Sequence, residues 1–368
     1  MNELKDFVLS QVKTVNGEEI DIVIEAGEVT QVTKAGYGQG KLVLDYSGVY
    51  VSSGWIDLHV HAFPEFNPYG DEIDEIGVSQ GVTTIVDAGS CGADRISDLV
   101  ASRKTAKTNV YAFLNISRIG LKRVDELSKL EWIDKEKVVQ AVNDYKEVIV
   151  GLKARISKSV VSESGIEPLR IARTLSSETS LPLMVHIGSG PPTIDEVISL
   201  LEKGDIITHY LNGKQNNLFD AREEPLQVFK EAIERGVHLD VGHGTASFSF
   251  KVAEAAKRHH IGLNTISTDI YRGNRLNGPV YSLANVLTKF LSLGYSLEEV
   301  ITAVTTNAAN WLKKPELGRI KVGDVANLTL FTVRNEPITL TDSEGEKRVA
   351  DRRIETIGVV ANGEFIEC

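Results

Sequence analysis

The sequence predicts an α/β protein in which a (β/α)8 barrel carries a small β-sandwich built from both ends of the chain. Three observations lead there. Eight short apolar runs separated by amphipathic helical stretches follow Gly54, the texture of repeated βα units around a parallel sheet. The residues before Gly54 instead alternate apolar and polar positions, and that strand-like texture returns after Trp311. The predicted division is therefore 1–53 plus 313–368 for the sandwich and 54–312 for the barrel.

The N-terminal part is typified by Ile20-Asp21-Ile22-Val23-Ile24, bounded by the turn pairs Asn16-Gly17 and Ala26-Gly27. The eight barrel runs are Trp55 to His61, Thr83 to Ala88, Val110 to Ile116, Val148 to Arg155, Leu183 to Ile187, Ile206 to Tyr210, Val237 to His243 and Leu263 to Asp269. A helix is expected over Pro225 to Arg235, where Leu226, Phe229, Ile233 and Val237 recur at helical spacing. Asn327-Leu328-Thr329-Leu330-Phe331 and Ile357-Gly358-Val359-Val360 close the chain as strands.

Composition narrows the function. The 368 residues carry a formal charge of −11 and no basic cluster. That disfavours nucleic acid, whose phosphates supply most non-specific affinity. No apolar run approaches the roughly 20 residues that span a bilayer, and Met1 to Asp6 lacks the basic and apolar regions of a signal peptide. A cytoplasmic protein acting on a small molecule is expected, with no membrane partner and with a homo-oligomer left open. Two cysteines, Cys91 and Cys368, make no disulfide framework.

The polar residues at the ends of the runs carry the chemistry. Asp57, His59 and His61 share one strand face, so the two imidazoles form a chelating pair. Core histidines are the plain alternative, but His186 and His209 also end apolar runs, and barrel active sites collect at the C-terminal ends of strands. The fourth run places Lys153 among apolar residues, where an ammonium is costly and has no lone pair for a metal. Reaction with carbon dioxide would make it a carbamate whose two oxygens bridge two cations. An ion pair with Asp269 or Asp87 is the other reading. Asp269 ends the eighth run as an acidic ligand or as a turn residue.

These residues resemble those of the amidohydrolase superfamily, in the branch of dihydroorotases and hydantoinases and most closely its amidohydrolase/deacetylase metallohydrolases. The resemblance rests on Gly54-Trp55-Ile56-Asp57-Leu58-His59-Val60-His61, Gly151-Leu152-Lys153, His186, His209, Asp269 and the return segment Leu317 to Leu328, with Asn327 where an Asp is more usual. It implies two divalent metal ions, zinc by the donor set. One would be held by His59, His61, Asp269 and carboxylated Lys153, the other by Lys153, His186 and His209. Asp269 would take a proton from the attacking water and pass it to the leaving group.

Within the resemblance, dihydroorotases place an Arg where this chain has Phe63 and a His where it has Gly273. Adenine deaminases use a carboxylate bridge in place of this lysine. The implied activity is therefore a deacetylase or acyl-ester hydrolase acting on a small carboxylate-bearing compound, such as an N-acetyl amino acid or an O-acetyl hydroxy acid. A cyclic amidohydrolase or deaminase is the alternative, and a non-catalytic assembly protein a further one. Arg155, two residues beyond Lys153, and His243, ending the seventh run, are candidate substrate-binding groups, as are Tyr271 and Arg272 in the loop after Asp269. His238, His259 and His260 read as structural or solvated, the last two complementing a helix C-terminus.

Overall fold

A computed structural model describes residues 5–368. Met1 to Leu4, on which the expectation of no signal peptide partly rests, lie outside the described residues. Seven parallel strands form the barrel sheet, in chain order: Trp55–Val60, Val82–Ala88, Asn109–Asn115, Ile149–Ile156, Leu183–Ile187, Ile206–Thr208 and His238–Asp240. The eighth run is extended but too irregular to count as a strand. It closes the barrel through single bridges, Thr265 with Asp240 and Ile270 with Val60. Backbone bonds from Asp269 N to His59 O and from His61 N to Ile270 O fasten it to the first strand. Asp57 adds a side-chain tie there, accepting from Thr268 N and Thr268 Oγ1.

Helices cover the barrel. The helix expected near Pro225 runs Gln227–Glu234 and buries Phe229 and Ala232. Ile233, expected inside, is exposed, because the helix turns Ala232 alongside Phe229 toward the barrel. No helix among the described residues is long and apolar enough to cross a membrane. Both cysteines are free.

The two chain ends build one eight-stranded sheet in which Leu328–Arg334 lies between Tyr50–Ser53 and Arg353–Ala361. This sheet curls into a sandwich. Phe365 on its edge strand stands four strand spacings from Phe7, roughly 19 Å if the sheet were flat, yet their rings are 6.0 Å apart. Between the curled halves lie Leu9, Val12, Ile22, Leu328 and Val360. Asn327 joins this unit to the barrel: its Oδ1 accepts from Asn109 Nδ2 and from Asn362 N. Gly54 must be glycine at the crossover, since a Cβ there would lie 2.0 Å from Thr83 Oγ1.

A separate hairpin, Ile338–Thr341 with Lys347–Ala350, leaves the sandwich and docks on the barrel. Its tip holds the loop after the seventh strand: Phe250 N donates to Asp342 Oδ2, Ser343 N to Phe248 O, and Ser343 Oγ to Gly244 O.

Trp55 sits at the seam, fully buried, 5.3 Å from the Phe331 ring and donating through Nε1 to Ser52 Oγ. Trp55→Ala is expected to destabilise the fold by about 3–5 kcal/mol, as large aromatic truncations in cores do. A urea unfolding curve checks this, and an unchanged midpoint would remove Trp55 from the seam's stability.

Candidate active site

The structure gathers His59, His61, Lys153 and His186 with Asp269 in one pocket at the C-terminal ends of the barrel strands. His209 stands just behind, its ring 5.1 Å from that of His59 and 4.4 Å from that of His186. His59 Nε2 and His61 Nε2 approach Asp269 Oδ1 at 3.4 and 3.1 Å, and His209 Nε2 lies 4.0 Å from Asp269 Oδ2. The donor atoms of His59, His61 and Asp269 all fall within 4.8 Å of one another. Lys153 Nζ is 3.2 Å from His59 Nε2 and 3.2 Å from Met184 Sδ. Asp87 is occupied elsewhere, accepting from Ala62 N and Ser90 N. Gly89 lets Lys153 lie where it does: its φ is +83°, and a Cβ would stand 2.6 Å from Lys153 Cβ.

Outer partners set the ring tautomers. Thr208 Oγ1 donates to Asp240 Oδ2, so it accepts from His59 Nδ1 at 2.8 Å. The Gly242 carbonyl likewise accepts from His209 Nδ1. Both Nε2 atoms are thereby left with a lone pair: that of His59 meets Lys153 Nζ, and that of His209 has no hydrogen-bond partner. His61 Nδ1 is held by Ser90 Oγ at 2.9 Å. Two of the converging residues also have left-handed backbones, His209 at φ 71° and Asp269 at φ 53°. Non-glycine residues hold that conformation only where the surroundings enforce it.

Burial governs the charge states. It pulls His59 and His186 well below the usual imidazole range, with help from Lys153 and His209 respectively, and pulls His209 down to about 3. Burial also brings Lys153 down to about 7. For Asp269 burial pushes up, but the hydrogen bond from His61 and the nearby charges prevail and hold it below the ordinary carboxylate range. Neutral imidazoles beside an ionised carboxylate are the ligand-ready forms. The residues fit a divalent metal centre on one further observation: His209 Nε2 is buried without a hydrogen-bond partner, a cost that a bound cation would remove.

The candidate substrate groups divide. Arg155 and Tyr271 line the pocket. Arg155 Nη1 binds the buried Glu126 carboxylate at 3.2 and 3.4 Å, and its guanidinium lies 5.6 Å from the Tyr69 ring centroid. Tyr271 OH meets Thr245 Oγ1 at 2.8 Å. His243 is not brought to the pocket: it is fully buried, stacked on Phe248, with Nε2 on Lys289 Nζ and Nδ1 on Gly244 O. Arg272 leans away from the pocket toward Asp71 and Glu72. Phe63 packs on Phe66 in the core. Lys214 and the hydroxyls of Ser157, Ser189 and Ser247, none of them expected from the sequence, complete the polar wall.

No protein-family model matches the chain. A protein of Enterococcus faecalis (strain ATCC 700802 / V583) named deacetylase is 41% identical over 98% of this chain and 99% of its own length. A crystal structure described as an adenine deaminase superposes with a TM-score of 0.95 at 41% identity, covering 99% of this chain and 100% of that one. Another, described as a dihydroorotase, does so with a TM-score of 0.90 at 34% identity, covering 98% of each. With near-full-length likeness to such relatives and histidines converging where the first barrel strand meets the eighth segment, the chain belongs to the amidohydrolase superfamily as one of its hydrolases.

Proposed function

We propose that the protein is a binuclear-metal hydrolase that cleaves an acyl amide or ester bond of a small carboxylate-bearing compound, such as an N-acetyl amino acid or an O-acetyl hydroxy acid. The observation that carries this reading is the convergence of four imidazoles, one lysine and one carboxylate on a single small pocket, with the lone pair of His209 Nε2 left unsatisfied. His59, His61 and Asp269 would hold one divalent ion, His186 and His209 the other, and carboxylated Lys153 would bridge them. Zinc suits that donor set. Such ions supply Lewis acidity, which lowers the pKa of water and polarises a scissile carbonyl.

The chain's own residues do the rest. Asp269 Oδ1 and Oδ2 face the pocket with the side chain 17% exposed, placed to accept a proton from the attacking water and return it to the leaving nitrogen or oxygen. The pocket is about 190 Å3, below the roughly 300–1,000 Å3 of drug-sized sites, which favours a compact substrate. Its polar wall, with two cations and several hydroxyls, favours an anionic, oxygen-rich one over a neutral purine. A cytoplasmic location belongs to the same reading.

Two divalent ions per chain are expected by metal analysis. Acetylated amino acids or hydroxy acids should be hydrolysed, the rate should fall to background with a chelator, and zinc should restore it. Acyl esters, cyclic amides and adenine complete the panel. Turnover of adenine or of a cyclic amide in preference to every acyl compound would overturn the proposal, and a metal-free, inert protein would favour an assembly role.

A further inference from the structure

Besides Lys153, the pocket wall holds two cationic side chains, Arg155 and Lys214, and only one is already engaged. Arg155 shares its charge with Glu126, whose carboxylate is fully buried and accepts from Nη1 through both oxygens. Lys214 differs. It lines the same pocket, is half-buried, and has neither a hydrogen-bond nor an ion-pair partner for its ammonium among the described residues. Its place is fixed by the loop that follows His209: Asn212 N and Asn212 Nδ2 donate to His209 O, and Asn212 Oδ1 accepts from Lys214 N. The same turn that sets a metal-facing imidazole therefore aims the lysine. An ammonium withdrawn from water without a partner is costly. Burial accordingly draws its pKa down, with Asp269 opposing and Arg155 adding to the fall.

We propose that Lys214 is the residue that takes the substrate's carboxylate, with Arg155 as a secondary, Glu126-anchored contact. A carboxylate bridging these two cations would relieve the Lys214 desolvation and their mutual repulsion together, and a neutral substrate would do neither. This rests on the acyl-hydrolase reading above and sharpens it. Anion selectivity resides in a loop, five residues past His209.

The test compares metal-loaded wild type, Lys214→Met and Lys214→Arg on N-acetylglycine and N-acetylglycinamide, by kcat/KM and by calorimetric binding. For the acid, Lys214→Met should lose roughly 10-fold to 100-fold, as expected for one charge-assisted hydrogen bond, mainly in KM, and Lys214→Arg should recover most of it. For the amide the loss should be far smaller. Equal losses for acid and amide, no loss for either, or a wild type that does not prefer the acid would each overturn the proposal. If the wild type hydrolyses neither compound, the acyl-hydrolase reading is decided by the wider panel of acyl compounds above. The calorimetric difference between acid and amide then still decides the role of Lys214.

Discussion

Replacing Lys153 with alanine is expected to strip the protein of bound divalent metal and of nearly all turnover. The side chain is 1% exposed, and its nitrogen lies within 3.2 Å of a proposed ligand, His59 Nε2. In ammonium form it has no lone pair to offer a cation. In the carbamate form it offers two oxygens to two cations. Since residues that merely orient metal ligands cost about 10-fold to 100-fold when removed, losing the bridge itself should cost at least about 10²-fold. Alanine also leaves a cavity beside Gly89 and Met184, so Lys153→Met, which keeps the aliphatic stem, separates packing from ligation. Small carboxylic acids should restore part of the activity of the alanine variant, and metal uptake by the wild type should slow in bicarbonate-free buffer. Full metal content with an undiminished rate in both variants would remove the lysine bridge.

Asp269→Asn should lower kcat by about 10²-fold or more while changing KM little, as loss of a general base does. The substitution leaves the backbone undisturbed at this position. Asp269 has φ 53°, and asparagine tolerates the left-handed region as readily as aspartate does. The backbone contacts, Asp269 N to His59 O and Asn274 Nδ2 to Asp269 O, do not involve the carboxylate. Metal content must be measured on the same samples. An asparagine variant with both ions and a normal kcat would take the proton-transfer role away from Asp269.

The sequence made the barrel legible because a parallel strand buried on both faces is a continuous apolar run, and a histidine at the end of one stands out. His59 and His61 followed from alternation alone, and the family likeness added the order of the ligands. What escaped the sequence follows from places where alternation stops. The seventh strand ends at Asp240, and Gly242 then takes φ 48°, so counting by twos to His243 fails and the ring turns into the core. Arg272 opens the short helix Arg272–Asn277 and leans out to the acidic pair behind it. Lys214 lies in a loop, where no periodicity assigns a direction. Its one local signal was the turn pair Asn212-Gly213 shortly after His209. The docking of Ser343 against Gly244 joins residues about a hundred positions apart, and no local pattern encodes that.

That docking has a consequence for how the protein comes into being. A ribosome delivers every proposed metal ligand, His59 through Asp269, well before the hairpin that carries Ser343. The strand Leu328–Arg334, which joins Tyr50–Ser53 to Arg353–Ala361, also emerges late. A growing chain therefore holds its ligands with one wall of the pocket unsupported and with Tyr50–Ser53 lacking its neighbour on one side. Non-local pairing of this kind is slow and exposes sticky edges. Completion of the pocket waits for that hairpin, so a barrel cut off near Trp311 would keep the ligands and lack the support that holds their surroundings in place.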